Sequence, residues 1–245
     1  MRLDKFLSET ATATRSEAKK AIRGGAVTVN GSPVRASDAA VDPERDVIFF
    51  RGERVIYRKY IYVLLNKPDG YVSATEDGRE KTVLDLLPEE MSKKGVFPCG
   101  RLDKNTLGLM LLTDNGELAH RILSPKNHVE KKYRFKSKFP LDPEDIKRFE
   151  GGLTLDDGYV TKPAKIELDG SLDSGVITLH EGKYHQIKRM LDALSNKITY
   201  LERISFANLT LAASGLERGE WRYLTDDEIN ELEKIAGLSE VPEKI

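Results

Sequence analysis

Short apolar and polar runs alternate along the first sixty residues and predict two helices followed by a hairpin. The predicted elements are helices at 2–8 and 16–23, a strand at Val27–Val29 that returns near 33–35, and a strand at 46–50. We expect Ser16 to cap the second helix, and Asn30-Gly31 favours a two-residue hairpin turn. The charged stretch 51–59 follows and is predicted to be a linker.

Beyond residue 59 short strands and helices follow one another without a regular strand–helix alternation. The predicted strands cover 60–66, 70–74, 109–113, 132–138, 164–168 and 175–180. The predicted helices cover 82–87, 116–124, 143–151, 186–193 and 225–235. This pattern favours an α+β fold, with a mixed, largely antiparallel sheet and flanking helices, over a doubly wound parallel one. We therefore expect a small domain with its linker at 1–58 and a larger domain at 59–245.

Composition narrows the functional classes. No apolar run is long enough to span a bilayer and the start of the chain has no apolar signal core, so we expect a cytoplasmic protein without a membrane partner. Cys99 is the only cysteine and the four histidines lack the spacing of a helical zinc pair, so no metal site is predicted. No heptad or long apolar stripe appears, and a monomer is the default expectation.

The net charge of −1 gives no overall attraction to nucleic acid, but the N-terminal region is locally basic. Residues 1–40 carry seven basic and four acidic side chains. The candidates for RNA phosphate contacts on or beside the two predicted helices are Arg2, Lys5, Arg15, Lys19, Lys20 and Arg23. Charge runs of this kind are more often ordinary solvated surface, so the charges alone do not decide the question.

The complete N-terminal pattern is more specific than its charges. R-L-D-K-F-L, then S-E-A-K-K-A-I-R-G-G-A-V-T-V-N-G, then P-V-R resembles the S4 RNA-binding domain over about residues 1–50. The resemblance implies docking on structured RNA, mainly through phosphates and with little sequence reading of its own.

The segment at 100–109 places Asp103 between cations and glycines, just before an apolar strand. A lone aspartate in such a turn is more often structural than catalytic. Gly100 and Gly108, however, permit backbone conformations that other residues resist, and Arg101 places a guanidinium beside the acid. The turn at 113–116 is expected to hold the far end of this strand, so we expect Asp103 to lie in a rigid part of the backbone.

G-R-L-D-K-N-T-L-G-L-M-L-L-T-D-N-G at 100–116 resembles the defining motif of pseudouridine synthases, specifically the RsuA family and its large-subunit relatives. The resemblance continues through N-K-P-D-G-Y-V-S at 66–73, H-R-I-L-S-P at 120–125, E-K-K-Y at 130–133, T-K-P-A at 161–164, E-G-K-Y-H-Q-I-K-R-M at 181–190 and G-E-W-R-Y-L-T at 219–225. It implies a synthase fold and conversion of uridine to pseudouridine, without a cofactor.

The resemblance also implies roles for individual residues. Asp103 would be the catalytic aspartate, attacking either the ribose anomeric carbon or the pyrimidine ring. Tyr133 would stack on the flipped base, although alone it would be interpreted as a strand aromatic that packs on the core. Lys188 would keep Asp103 ionised and oriented, in a position where many relatives carry arginine. Arg101 would fill the space of the extruded nucleotide or grip its phosphate.

Further residues are weaker candidates, each of which could equally be plain surface. The additional phosphate-contact candidates are Lys67, Arg121, Lys183 and Arg189. Cys99, one residue before the motif, lacks a paired histidine in a recognisable arrangement and is expected to be a packing residue.

Tyr184-His185, Lys188 and T-K-P-A at 161–164 resemble the small-subunit enzyme more than its large-subunit relatives. The expected partner is therefore 16S ribosomal RNA or a small-subunit assembly intermediate. Two alternatives stay open at this stage: the same chemistry on 23S ribosomal RNA, and a non-catalytic RNA-binding factor for ribosome assembly.

Overall fold

A computed structural model describes residues 1–238, except residues 11, 44 and 58. Its contacts divide the chain into two units, Met1–Lys59 and Tyr60–Ile245. The first unit contains α1 (Leu3–Glu9), α2 (Arg15–Arg23), β1 (Val27–Val29), β2 (Ser32–Pro33), β3 (Ile48–Phe50) and β4 (Glu53–Val55). Both helices and the strands β1 and β3 contribute to one apolar core that includes Phe6, Ile22 and Ile48.

Local chemistry explains the boundaries in this unit and corrects two expectations. Thr14, not Ser16, caps α2, because the Thr14 hydroxyl accepts from the Glu17 amide while the Glu17 carboxylate accepts from the Thr14 amide. Asn30 and Gly31 both have positive φ, as the predicted hairpin turn requires. The predicted linker at 51–59 is wrong, since β4 lies within it and pairs antiparallel with β3.

The second unit is built around one large sheet. Its strands are β5 (Tyr62–Lys67), β6 (Phe97–Pro98), β7 (Leu107–Thr113), β8 (Lys131–Ser137), β9 (Lys165–Leu168), β10 (Ser174–Leu179), β11 (Ile198–Phe206), β12 (Leu209–Thr210) and β13 (Trp221–Tyr223). The main strand order is β13-β5-β7-β11-β8-β10-β9, with β12 beside β11 and β6 beside β7. Only β7 and β11 pair in parallel among the described strands, which confirms the α+β, largely antiparallel prediction.

Helices cover this sheet, and alternate strand residues pack into two apolar clusters. The helices are α3 (Glu89–Lys93), α4 (Gly116–Leu123), α5 (Pro143–Gly151), α6 (Gln186–Asp192), α7 (Leu211–Ser214) and α8 (Asp226–Ile235), with 3-10 turns at Val83–Leu86 and Pro125–Asn127. Val63 and Leu65 on β5 face one cluster, whereas Tyr62 and Leu64 face the other. Both faces of the sheet are therefore buried. No described helix has the length and apolar character needed to cross a bilayer.

The structure corrects one predicted strand and adds several that the pattern did not predict. Residues 70–74 are not a strand; they form a turn in which Gly70 has a positive φ, with a single bridge from Val72 to Thr82. The helix predicted at 82–87 is a short 3-10 turn. The strands β6, β11, β12 and β13 and the helices α3 and α7 were not predicted.

Candidate active site

Asp103 lies in the loop between β6 and β7, and two glycines give this loop its path. Gly100 has φ +86° and Gly108 has φ +97°, so the sequence-based expectation for these positions is confirmed. A Cβ at Gly108 would lie 2.3 Å from the carbonyl oxygen of Arg203 on the parallel strand β11. Glycine at 108 therefore allows the close approach of β7 and β11 near the start of β7, five residues after Asp103.

Two basic side chains from the start of α6 contact the Asp103 carboxylate. The Lys188 Nζ lies 2.6 Å from Oδ2 of Asp103, and the His185 Nε2 lies 3.3 Å from Oδ1. Lys188 also donates to the Asn105 side chain at 2.7 Å, so the lysine is held from two directions. His185 precedes the helix with a positive φ, which turns its ring towards the aspartate. Asp103 nevertheless keeps 24% of its side chain exposed.

Asp103, Tyr133 and Lys188 line the same small cavity of about 80 Å³, together with Arg101. A larger cavity of about 730 Å³ shares Arg101, Asp103 and Tyr133 with it. Tyr133 is mostly buried in the apolar core, yet it forms part of both cavity walls. The structure thus brings together the four residues that the sequence singled out around the aspartate.

The neighbouring turn holds the loop on both sides of Asp103. The Ser73 hydroxyl donates to the Leu102 carbonyl at 2.7 Å and accepts from the Leu102 amide at 2.9 Å. Lys67 donates to the carbonyls of Lys104 and Thr106 at 2.9 and 2.8 Å. These contacts fix the backbone immediately before and after the aspartate.

The buried carboxylate of Glu181 stabilises the loop that carries His185. Glu181 accepts hydrogen bonds from the Tyr159 hydroxyl at 2.7 Å, the Gln186 amide group at 2.6 Å and the Lys162 backbone amide at 3.0 Å. The hydrogen bond to Glu181 raises the pKa of the Tyr159 hydroxyl. The sequence pattern indicates no role for His185 at the aspartate, for Asn105 or for Glu181, and the only signal for these residues is that they belong to the quoted motifs.

Two protein-family models match this chain. The family model for RNA pseudouridylate synthase matches residues 61–193, and the S4 domain model matches residues 1–47. The chain belongs to the RNA pseudouridine synthase family. An uncharacterized RNA pseudouridine synthase of Bacillus subtilis (strain 168), YtzG, is 45% identical over 234 residues, which cover 94% of this chain and 97% of that one.

A relative with a stated substrate class and a solved structure extend the likeness to nearly the whole chain. A protein of Vibrio cholerae named ribosomal small subunit pseudouridine synthase A is 39% identical over 94% of this chain and 98% of its own. A crystal structure of a pseudouridylate synthase shares 39% identity and a TM-score of 0.66, covering 95% of this chain and 99% of that chain. Both units of this synthase therefore have counterparts in the same order in these proteins.

The structure of this synthase corrects the expectation for Lys67. Its side chain is fully buried, and its Nζ donates to three backbone carbonyls, the third being that of Pro68 at 3.0 Å. Burial lowers the pKa of Lys67 to about 8. A lysine enclosed in this way is not placed to contact an RNA phosphate; it is a support of the Asp103 loop.

The three other weak candidates occupy different environments. Lys183 lines both cavities with its ammonium 4.6 Å from the Tyr159 ring centre, so it remains a candidate for RNA contact. Arg189 is largely buried and contacts the carboxylates of Asp156 and Asp157, which already supply its counter-charge. Arg121 donates to the Glu117 carboxylate at 2.8 Å and to the Gly237 carbonyl at 2.9 Å. Neither arginine lines the described cavities.

In the S4 unit, one buried carboxylate gathers three of the six basic candidates. Asp4 lies 3.1 Å from Arg2, 3.7 Å from Arg15 and 3.9 Å from Lys19, and its hydrogen bond with Arg2 lowers its pKa. All three basic side chains stay at least 44% exposed. One acid thus fixes the position of three cations that still face solvent. Lys5 pairs with Glu9, while Lys20 and Arg23 are also exposed.

Cys99 is buried beside the cavity wall. Burial raises the pKa of its thiol to about 12, so the thiolate needed for nucleophilic chemistry does not form near neutral pH. This environment fits the packing role expected from the sequence.

Proposed function

We propose that this synthase converts one uridine of 16S ribosomal RNA to pseudouridine, with Asp103 as its nucleophile. The observation that carries the proposal is the contact of the Asp103 carboxylate with Lys188 and His185 in a cavity that also contains Tyr133. The small-subunit target is supported by relatives named ribosomal small subunit pseudouridine synthase A. The substrate would be 16S RNA itself or a small-subunit assembly intermediate.

Access to the base requires that the uridine leave its helical stack. Arg101 is exposed and lines both cavities, so its guanidinium can occupy the vacated position or grip a phosphate. The extruded uracil then enters the cavity beside Asp103. The larger cavity, about 730 Å³, is large enough for a ligand of nucleotide size.

Once the nucleotide is bound, Asp103 acts as a covalent nucleophile on the ribose carbon C1′ or on the pyrimidine ring, and the bond that it forms breaks again before the product leaves, which divides the exchange into easier steps. The bond between the ribose carbon C1′ and uracil N1 breaks, the base turns, and C1′ bonds to uracil C5. The proton leaves C5, and N1 takes up a proton, so product and substrate have the same composition. No redox step or group donor is needed, which fits a reaction without a cofactor.

Lys188 and His185 orient the carboxylate for this attack, and Tyr133 contributes a ring wall for the base. Because Lys188 is itself fixed by Asn105, the carboxylate cannot rotate freely away from the cavity. Stacking of a base on an aromatic ring contributes about 1–3 kcal/mol, so Tyr133 would help to hold the turned uracil. Its hydroxyl would assist proton movement at the sugar or the ring.

The S4 unit would supply affinity for structured RNA. The cations gathered by Asp4, together with Lys5, Lys20 and Arg23, would contact phosphates. Binding of this type weakens steeply as salt increases, because each phosphate contact releases condensed counterions.

Replacing Asp103 with Asn tests the chemistry. Asn preserves the shape of the side chain but removes the nucleophilic charge, so tritium release from ring-labelled uridine RNA should fall by roughly three orders of magnitude or more. Asp192→Asn, on an exposed acid at the far end of α6, serves as the control and should retain activity. Unchanged tritium release by Asp103→Asn would refute the assignment of the nucleophile, whereas absence of tritium release by the wild type would favour a non-catalytic assembly factor.

Mapping pseudouridines in a deletion strain tests the target. Carbodiimide-dependent reverse-transcription stops should disappear at one position of 16S RNA and return when the wild-type gene is restored. Loss of a stop in 23S RNA, with 16S RNA unchanged, would instead assign the same chemistry to the large subunit.

A further inference from the structure

Two basic residues for which the described residues provide no ion pair line the larger cavity, one on β8, the strand of Tyr133, and one on the neighbouring strand β11. Lys131 and Arg203 are only 8% and 2% exposed, yet both contribute to the cavity wall. Arg203 on β11 is the register partner of Tyr133 on β8. Lys131 lies two residues before Tyr133 on the same strand, hence on the same face and about 7 Å away.

The hydrogen bonds of these side chains are incomplete. Lys131 Nζ donates to the Val129 carbonyl at 2.8 Å, and Arg203 Nε donates to the Leu109 carbonyl at 2.7 Å. Arg203 Nη2 is buried without a hydrogen-bond partner. Within the part of the chain that the structure describes, no carboxylate forms a salt bridge with either cation, in contrast to Lys188. Instead, both cations lie over the Phe206 ring, at 5.6 and 4.8 Å from its centre.

Neighbouring acids do not neutralise this pair. The nearest thiol, Cys99, stays protonated because burial raises its pKa to about 12. The Glu181 carboxylate interacts electrostatically with Lys131, but its oxygens accept hydrogen bonds from Tyr159 and Gln186. Burial, reinforced by Arg203, lowers the pKa of Lys131 to about 8. Two like charges held in a cavity wall at such a cost are typical of a site whose counter-charge comes from a ligand.

We propose that Lys131 and Arg203 form an anion subsite that receives a phosphodiester group of the RNA strand carrying the target uridine. The inference rests on the proposed function for its substrate, because a backbone phosphate is the anion that an RNA brings into the same cavity as the uracil. A guanidinium with an unused Nη group and a nearby ammonium match the oxygens of one phosphate. The subsite would anchor the strand on the side of Tyr133 where Lys131 lies.

The charge of Lys131 can be removed with little change to its contacts. Lys131→Gln retains a donor for the Val129 carbonyl but carries no charge, and Lys131→Arg restores the charge. Lys132→Gln is the matched control, since Lys132 is the next residue along β8, points to the opposite face and pairs with Glu130. The enzyme is assayed by tritium release on unmodified transcripts of 16S and 23S ribosomal RNA over a series of salt concentrations.

A phosphate contact has a specific signature in this assay. Lys131→Gln should raise KM roughly tenfold with little change in kcat. It should also flatten the dependence of log(1/KM) on log salt by about 0.7 to 0.9, the contribution of one phosphate. Lys131→Arg should recover the wild-type slope, and Lys132→Gln should match the wild type in both quantities.

Three results would overturn the inference. The first is a wild-type salt slope and KM for Lys131→Gln. The second is a loss of kcat that Lys131→Arg does not repair, since this would indicate a role in folding or chemistry. The third is that inorganic phosphate stabilises the wild type but not Lys131→Gln, while the two proteins have the same KM and the same salt slope on RNA. This result would assign the subsite to free phosphate. Wild-type inactivity on both transcripts and on small-subunit assembly intermediates would instead refute the proposed function.

Discussion

Replacing Lys67 with Met should destabilise the synthase in a manner that depends on pH. Three backbone carbonyls accept hydrogen bonds from the Lys67 ammonium. Met would remove this donor from the Pro68 and Thr106 carbonyls, while the Lys104 carbonyl would keep only its bond from the Gly70 amide. Unmet buried polar groups cost about 1–3 kcal/mol each, but removal of a buried charge offsets part of this cost. We therefore expect a loss of about 2–4 kcal/mol in the free energy of unfolding near pH 7.

The pH dependence follows from the depressed pKa. Burial lowers the pKa of Lys67 from 10.5 to about 8, with Arg218 and Lys188 acting in the same direction against Asp69 and Asp103. Between these two values the unfolded chain binds more protons than the folded chain, so the contribution of Lys67 to stability rises with pH. The shift of 2.5 pH units corresponds to about 3 kcal/mol in full, of which about 2 kcal/mol is expressed by about pH 9.5.

Urea unfolding at about pH 7 and about pH 9.5 measures this effect. The difference in unfolding free energy between the wild type and Lys67→Met should widen by about 2 kcal/mol at the higher pH. Lys93→Met is the control, because Lys93 is an exposed lysine paired with Glu89 on α3, and its effect should be small at both values. A difference that stays constant with pH would show that the three carbonyls stabilise the ammonium as well as water does, and would refute the reasoning.

Two further predictions concern the backbone and the thiol beside the site. Gly108→Ala should lower the free energy of unfolding in urea by at least about 3 kcal/mol, because it combines a strained positive φ with a backbone clash against Arg203. Gly70→Ala has the same sign of φ but open space around the added Cβ, so it should cost about 1–2 kcal/mol. Equal costs for the two variants would contradict the close approach of β7 and β11 as the reason for glycine at 108. Cys99 should react with iodoacetamide only as fast as the protein unfolds, and rapid stoichiometric labelling of the native protein near pH 8 would contradict its burial and raised pKa.

The parts of the site that the sequence predicted are those encoded by local backbone requirements. Gly100 and Gly108 require conformations that glycine adopts readily, and Asp103 lies between them within a short segment. The placement of Lys188 next to Asp103 came only from the family resemblance, since the two lie 85 positions apart. Spacing along the chain contains no direct signal for a contact of that kind.

The central strand β11 shows why pattern alone missed part of the fold. Its segment I-T-Y-L-E-R-I-S-F contains two adjacent charged residues, Glu202 and Arg203, which interrupt the apolar alternation typical of a buried strand. Both are nevertheless buried. Glu202 pairs with Arg134 and Arg218, and Arg203 bonds to Leu109 on β7. These partners come from other strands and loops, so only the folded chain shows that Glu202 and Arg203 have polar partners.

Lys67 and Arg189 also show that the sequence pattern does not reveal the environment of a charged side chain. A lysine beside proline and an arginine on an amphipathic helix are usually solvated, and both were predicted to contact phosphate. In the structure, Lys67 is enclosed by carbonyls from the loop at 104–106, and Arg189 contacts carboxylates more than thirty positions away. Whether a cation is available to RNA depends on these long-range partners.

The motif at 66–73 acquires a physical explanation from the same contacts. Its first basic residue, Lys67, and its last residue, Ser73, bond to the backbone on opposite sides of Asp103, and the Gly70 amide adds a bond to the Lys104 carbonyl at 3.1 Å. Positive φ at Gly70 lets the turn bring both side chains to one loop. The proposed nucleophile Asp103 would have to be held within fractions of an ångström of its productive position, and two flexible glycines alone would not achieve this. Residues 66–73 therefore form the support of Asp103, although none of their side chains contacts its carboxylate in the described hydrogen bonds and salt bridges.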